Sequence, residues 1–258
     1  MSTHIPAPRA FGIDIGGSGI KGAPVDLTTG ELAAERLRIP TPQPATPDAV
    51  ATTVAQLVRS FDLSADTPIG VTFPAVVQHG VARSAANVDV SWIGTNIETV
   101  VGDAVGRPVV AVNDADAAGY GETLYGAARS ASGVTFLCTL GTGIGTAVVV
   151  DGVLLPNLEL GHLEIDGHDA ETRASDAARD RNDLDFEQWA QRLQRYFSVI
   201  EDLLWPDLIV VGGGVSKHHE KFLPLLHLRA PIVPARLRNA AGIVGAAALA
   251  AKTAGHPA

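Results

Sequence analysis

Residues 15–26 read IGGSGIKGAPVD, and residues 140–151 read LGTGIGTAVVVD. Set over each other at a constant offset, Ile15 falls on Leu140, Gly16 on Gly141, Lys21 on Thr146 and Asp26 on Asp151. Each copy follows an apolar run (Phe11–Ile15 and Val134–Leu140), turns through glycines and returns through a second apolar run to a polar turn. Two strand–glycine turn–strand hairpins in one chain predict two related half-domains. Each turn offers backbone N–H groups to a phosphate. That combination predicts phosphoryl transfer.

Two common glycine motifs are excluded by the residues after the first turn. A dinucleotide fingerprint opens directly into a helix, and a Walker A loop reads GxxxxGK followed by Ser or Thr. Here the glycines are followed by IKGAPVDL, which reads as a strand, and no GK[ST] exists. What remains is an anion-binding concavity built from Gly16, Gly17, Ser18 and Gly19. Asp14 stands at its entrance, where a carboxylate can orient magnesium-bound water, and Lys21 is placed to reach a phosphate. The second turn, Gly141, Thr142 and Gly143, lacks the lysine but adds a hydroxyl donor. A third, Gly212-Gly213-Gly214, ends the apolar run Leu208–Val211 and leaves room for a bulky group against the backbone.

The composition is that of a globular protein: 258 residues, 46% hydrophobic and 18% charged. No stretch approaches the roughly 18 consecutive apolar residues of a membrane span, and no secretory signal is expected. The ends, Met1–Pro8 and Thr253–Ala258, are expected to be frayed. The single cysteine, Cys138, excludes an internal disulfide, fits a reducing cytoplasm and reads as a buried small hydrophobe. A net charge of −9 argues against a nucleic-acid partner. The segment Gly212–Ala240 departs from that balance. Lys217, Lys221, Arg229, Arg236 and Arg238 stand there against Glu220 alone. This segment is either a solvated face or a track for a polyanion.

Strands alternate with helices along the chain, which implies an α/β fold. Helices are predicted near Pro47–Phe61 (with Thr46 as N-cap), Asn96–Ala104, Asp116–Tyr125, Asp185–Leu204 and Ala240–Ala251. A strand is predicted near Leu32–Ile39. The duplicated hairpin predicts two domains facing each other across a cleft, residues 1–112 with the C-terminal helix 241–258, and residues 113–240.

Two further regions carry candidate chemistry. Asn113-Asp114 follows a buried strand, and ligands of α/β sheets bind beyond the carboxyl ends of strands. A carboxylate there is either a helix cap or the acceptor of a substrate hydroxyl proton, with the neighbouring carboxamide fixing the substrate. Asp116 reads as serving the start of the helix. The stretch Glu159–Glu171, ELGHLEIDGHDAE, is dense in Glu, His and Asp. It reads as a sugar pocket, with a metal site from His162, Glu164, Asp166 and His168 as the alternative.

Together DIGGSGIKG, SAANVDVSWIG, NDADAAG, LGTGIG, ELGH and VVGGGVS resemble the ROK family of bacterial sugar kinases and related repressors, over about Phe11 to Ala248. The first turn and SAANVD are especially similar to the family's glucokinases that use inorganic polyphosphate or ATP. The resemblance implies the two-domain actin-like, ribonuclease H-like fold. It implies Asp114 as catalytic base and Asn87, Asn113, Glu159, His162 and Glu171 as glucose-binding residues. The three glycine turns, with Lys21 and Lys217, would hold polyphosphate or ATP, and Mg2+ would sit near Asp14 through water. The cysteines of the family's zinc motif are missing, so no zinc site is expected. The resemblance also implies a homodimer, and leaves no room before the first turn for a DNA-binding region. An ATP-only hexokinase and a catalytically silent sugar-binding regulator are the rivals.

Overall fold

The computed structural model describes residues 9–255. The frayed ends expected at Met1–Pro8 and His256–Ala258 lie outside these residues, and Thr253 closes the last helix. By contact the described chain divides into two units, one up to Gly121 and again from Ala240, the other Glu122–Asn239.

The first unit contains β1 (Arg9–Ile15), β2 (Ile20–Asp26), β3 (Leu37–Ile39), α1 (Pro47–Arg59), β4 (Ile69–Phe73), β5 (Val77–Gln78), β6 (Val81–Ala82), α2 (Ile97–Val105), β7 (Val110–Asn113) and most of α3 (Asp114–Tyr125). Its sheet runs β3-β2-β1-β4-β7, antiparallel across β3-β2-β1 and parallel across β1-β4-β7. The second unit repeats the plan with β8 (Val134–Leu140), β9 (Ile144–Val150), β10 (Val153–Leu155), β11 (Glu164–Ile165), β12 (His168–Asp169), α4 (Glu171–Ala174), α5 (Asp176–Arg181), α6 (Phe186–Leu204), β13 (Leu208–Gly212) and β14 (Ile232–Pro234). Its sheet runs β10-β9-β8-β13-β14 with the same pattern of directions. The chain then returns to the first unit as α7 (Ala241–Thr253).

Alternation along β1 sorts its side chains. Phe11, Ile13 and Ile15 point into a core with Val50, Val54 and Leu57 of α1 and Val101 of α2. Gly12 and Asp14 take the other face, which α7 covers. The approach there is close: a Cβ on Gly12 would collide with the carbonyl of Ile243, and one on Gly70 of β4 with that of Ala246. Small residues at both positions let the helix lie directly on the sheet. In the second unit the core gathers Phe136, Cys138 and Leu140 of β8 with Trp189, Leu193, Phe197 and Ile200 of α6. Burial pushes the Cys138 thiol well up, as expected of an inert core cysteine. Asp185 and Gln188 form a reciprocal capping box at the head of α6, worth about 1 kcal/mol.

Several elements differ from expectation. The strand expected over Leu32–Ile39 is limited to Leu37–Ile39, with a single bridge from Leu32 to Val25. The intervening Ala33-Ala34-Glu35-Arg36 has weak strand propensity. Thr46 occupies the N-cap of α1 but its side chain makes no capping bond. The first division falls after Gly121 rather than after Val112, because α3 packs on α7. A Cβ on Gly121 would lie 3.0 Å from the Ala241 carbonyl oxygen, and one on Gly245 would collide with that of Ala117.

The constant offset between the copies also fails after the turn. Ile15 stands opposite Ile20, but Leu140 stands opposite Ile144, so the first turn has one more residue. By register the counterpart of Lys21 is Gly145, not Thr146, and that of Asp14 is Thr139.

Candidate active-site groups

In the first unit, β1 and β2 place Asp14 directly opposite Lys21, and β4 places Thr72 beside Asp14. The Lys21 ammonium lies 3.1 Å from one Asp14 carboxylate oxygen, and the Thr72 hydroxyl donates to the other at 3.0 Å. The turn closes on itself through Gly16 N–H to the Gly19 carbonyl at 3.1 Å, and Thr41 donates to the Gly16 carbonyl at 2.5 Å. Arg38 of β3, opposite Lys21, donates to the Ser18 carbonyl at 2.7 Å and lies across Gly19. Arg38, Lys21 and Asp14 therefore form one row across three strands. Sequence reading missed Arg38 because β3 is short and its register is set by pairing alone. Asn87 also reaches this turn: a Cβ on Gly17 would lie 2.9 Å from that of Asn87, whose backbone is left-handed at φ 60°.

The Asp14 carboxylate fits a magnesium ion held through water. It is half-buried, it is oriented by a neutral hydroxyl, and its two oxygens have more acceptor positions than Lys21 and Thr72 occupy. Magnesium is commonly held by one or two carboxylates with retained waters and substrate phosphates.

At the end of β7, Asn113 caps α3. Its side-chain oxygen accepts from the N–H groups of Ala115 (2.8 Å) and Asp116 (3.1 Å), and its amide donates to the Ala75 carbonyl at 3.0 Å. The carboxamide expected to fix substrate is thus mostly occupied in holding the fold, with one N–H left over. Asp114 is exposed, and one of its oxygens accepts from Ala115 N–H at 2.9 Å. The capping role open to Asp114 in the sequence belongs chiefly to Asn113.

In the second unit, the Thr146 hydroxyl donates to the Leu158 carbonyl and accepts from Leu160 N–H at 3.0 Å, gripping both neighbours of Glu159. Glu171 turns onto the second glycine turn. Its carboxylate accepts from Ile144 N–H at 3.1 Å, and a Cβ on Gly143 would collide with it. His162 Nδ1 lies 2.9 Å from an Asp169 oxygen. Lost solvation pushes the Glu159 carboxyl above its usual range, opposed by His162 and reinforced by Glu171. His162 is also raised. The Asp169 hydrogen bond is the largest cause, burial opposes it, and the charges of Glu171, Asp169 and Glu159 add to it.

The metal set His162, Glu164, Asp166 and His168 is not assembled. β11 and β12 pair Glu164 with Asp169, and both Asp166 oxygens are taken by Arg195 at 2.8 and 2.9 Å. Instead His162, Asp169 and Glu171 offer atoms within 4.8 Å of one another. All three already hold hydrogen bonds inside the protein. Asp169 was passed over in the sequence because only the short hairpin brings it back to His162.

The third turn lies beside the second, since a Cβ on Gly213 would collide with the Leu140 backbone. Lys217 is exposed just beyond it. Much of the basic segment is spoken for. Arg229 pairs with Asp202 at 2.8 Å and lies over Trp205, and Lys221 lies over the Phe186 ring. A polyanion track through all five cations would have to compete with these contacts at Arg229 and Lys221. Among the described residues no helix is long and apolar enough to cross a membrane.

Comparison with known proteins gives a consistent picture. The model of the ROK family matches residues 10–175. A polyphosphate glucokinase of Mycobacterium tuberculosis is 52% identical over 240 residues, covering 93% of this chain and 90% of that protein. The crystal structure of an inorganic polyphosphate/ATP-glucomannokinase from Arthrobacter sp. strain KM is 55% identical. It superposes with a TM-score of 0.91, covering 96% of this chain and all of that one (100%). A glucokinase from Streptomyces griseus, solved with glucose and AMPPNP, shares the fold at a TM-score of 0.77 and 24% identity, covering 95% and 99% of the two chains.

Proposed function

The chain belongs to the ROK family, and from that premise we propose that it is a glucokinase, transferring the terminal phosphoryl group of inorganic polyphosphate or ATP to the 6-hydroxyl of glucose. The observation that carries this reading is the exposed Asp114 carboxylate, fixed at the head of α3 by the Asn113 cap. An exposed carboxylate on a rigid backbone can take a hydroxyl proton and return it to water.

In this reading Asp114 accepts the 6-hydroxyl proton as the O–P bond forms and the bridging P–O bond of the donor breaks. Glu159, His162, Glu171 and Asn87 hold sugar hydroxyls or the sugar's surroundings, and Asn113 contributes its remaining N–H. The first glycine turn, with Lys21, cradles the transferred phosphoryl group. Gly141–Gly143, Gly212–Gly214 and Lys217 hold the rest of the donor. Asp14 would hold magnesium through water, and the ion would neutralise phosphate charge. Rate then comes from positioning and electrostatics, with no covalent enzyme intermediate.

The test is glucose 6-phosphate formation with ATP and with nucleotide-free polyphosphate as alternative donors. Product with both supports the reading, product with ATP alone reduces it to an ATP hexokinase, and no product with either overturns it. The Arthrobacter relative is a glucomannokinase, so mannose belongs in the same assay as a second acceptor. We further propose a cytoplasmic homodimer, checked by the mass of the purified protein in solution.

A further inference from the structure

Asp169 has no part in the chemistry above, yet it is bonded to two residues that do. One carboxylate oxygen lies 2.9 Å from His162 Nδ1, and the other accepts the backbone N–H of Glu171 at 3.1 Å. Its own carbonyl accepts the Thr172 hydroxyl at 2.7 Å, and the next residue's N–H returns to the Leu163 carbonyl at 2.9 Å. The β11–β12 hairpin thus delivers a single side chain that touches both ends of the segment from His162 to Glu171.

The chemistry of imidazole gives this contact a direction. A neutral histidine has one N–H and one lone pair, and the bond made by one nitrogen decides what the other can do. With Nδ1–H donating to Asp169, Nε2 is left to meet a hydroxyl, accepting from it while the ring is neutral and donating to it once the ring is protonated. The second Asp169 oxygen fixes the start of α4, from which Glu171 reaches Gly143 and Ile144. We propose that Asp169 is a positioning residue for the acceptor sugar, aiming His162 through Nδ1 and seating the backbone that presents Glu171. This rests on the reading of His162 and Glu171 as sugar contacts.

The pair is partly open to solvent, with side-chain exposures of 56% for His162 and 39% for Asp169. An ion pair so placed is screened and adds little to folding. Its effect is therefore on orientation. The charged groups facing the ring are Asp169 from β12, Glu159 from the preceding loop and Glu171 from α4, and each favours the protonated ring.

The experiment uses Asp169→Asn, which keeps the shape and an oxygen for Glu171 N–H but removes the charge. Glucose KM should rise about tenfold or more, the scale of losing an orienting partner. kcat at saturating glucose should stay within about threefold and donor KM should be unchanged, the pattern of lost acceptor binding. Titration of the His162 ring by NMR should move to lower pH, and Asp169→Glu should recover part of both changes. Melting temperature should fall by no more than about 4 °C. An unchanged glucose KM overturns the proposal. So does a parallel rise in glucose and donor KM with a large loss of melting temperature. If Asp169→Asn does not fold, Asp169→Glu is read in its place, and equal glucose and donor effects overturn the proposal in the same way. Wild-type protein that forms no glucose 6-phosphate would sink the kinase reading instead, while the ring titration would still report on the His162–Asp169 bond.

Discussion

The hairpins β1–β2 and β8–β9 share a topology and differ in almost everything that matters chemically. One pair in from the turn, the first has Asp14 where the second has Thr139. Across from it stands Lys21 in one and Gly145 in the other. The first hairpin is charged, with Arg38 adding a second cation from the neighbouring strand. The second carries no ionised side chain in its turn and instead receives one, Glu171, onto Ile144 N–H. Duplication thus preserved a backbone that presents N–H groups, while the side chains took different work. In the proposed reading the charged copy faces the transferred phosphoryl group, while the other holds more of the donor and braces the segment that presents Glu171.

The largest expected effect tests whether the base belongs with the charged unit. Asp114→Asn should lower turnover by ~100-fold or more, the upper scale of a lost general base, while glucose binding measured by calorimetry persists. Near-normal turnover would remove Asp114 from the chemistry. Lys21→Ala should cost ~10- to 100-fold in kcat/KM for the donor and leave glucose affinity intact, since it withdraws charge stabilisation only from the phosphate side. A matching loss of glucose affinity would mean the two hairpins are not so divided.

The reverse experiment is Gly143→Ala. Its Cβ occupies the space of the Glu171 carboxylate, so Glu171 must leave Ile144. Glucose KM should rise about tenfold with a much smaller change for the donor, as when a positioned hydroxyl partner is displaced. A smaller effect is expected of Arg38→Ala, because the side chain is exposed and screened. Donor KM should rise a few-fold at low salt and converge with wild type at about 1 M salt. If the difference survives high salt, Arg38 shapes the turn rather than the field.

The smallest effect concerns pH. Glu159 titrates above the ordinary carboxylate range, first because of lost solvation and then because of Glu171. As pH falls, Glu159 is therefore protonated earlier than an exposed glutamate, and glucose KM should begin to rise sooner. Glu171→Gln removes one cause of the shift, so the acid limb should move to lower pH.

Much of this was legible in the chain. The alternation of apolar runs with glycine turns defined both hairpins, and Asn113-Asp114 could be placed at a strand end because Val109–Val112 is a short valine-rich apolar run. The unequal lengths of the two turns were not legible. Gly16–Gly19 and Gly141–Gly143 look alike in one dimension, and only strand pairing shows that Lys21 corresponds to Gly145. Arg38 and Asp169 escaped for a related reason: each gains its partner from a register that a three-residue strand or a two-residue hairpin sets. The division of labour between Asn113 and Asp114 escaped because two adjacent residues can both cap a helix. Which of them does so depends on rotamers.

The close seat of α7 on Gly12 and Gly70 bears on the order in which the protein is made. Glu122–Asn239 is continuous in sequence, so everything that unit needs leaves the ribosome together. The unit carrying Asp14 and Asp114 waits for its last helix. Until residues 241–253 emerge, the face of β1 and β4 that α7 covers stays bare, and a strand face left open during synthesis invites association with other chains. Newly made protein should thus protect Glu122–Asn239 before the unit that α7 completes. A chain stalled just short of α7 should carry a folded Glu122–Asn239 unit beside an unfinished sheet.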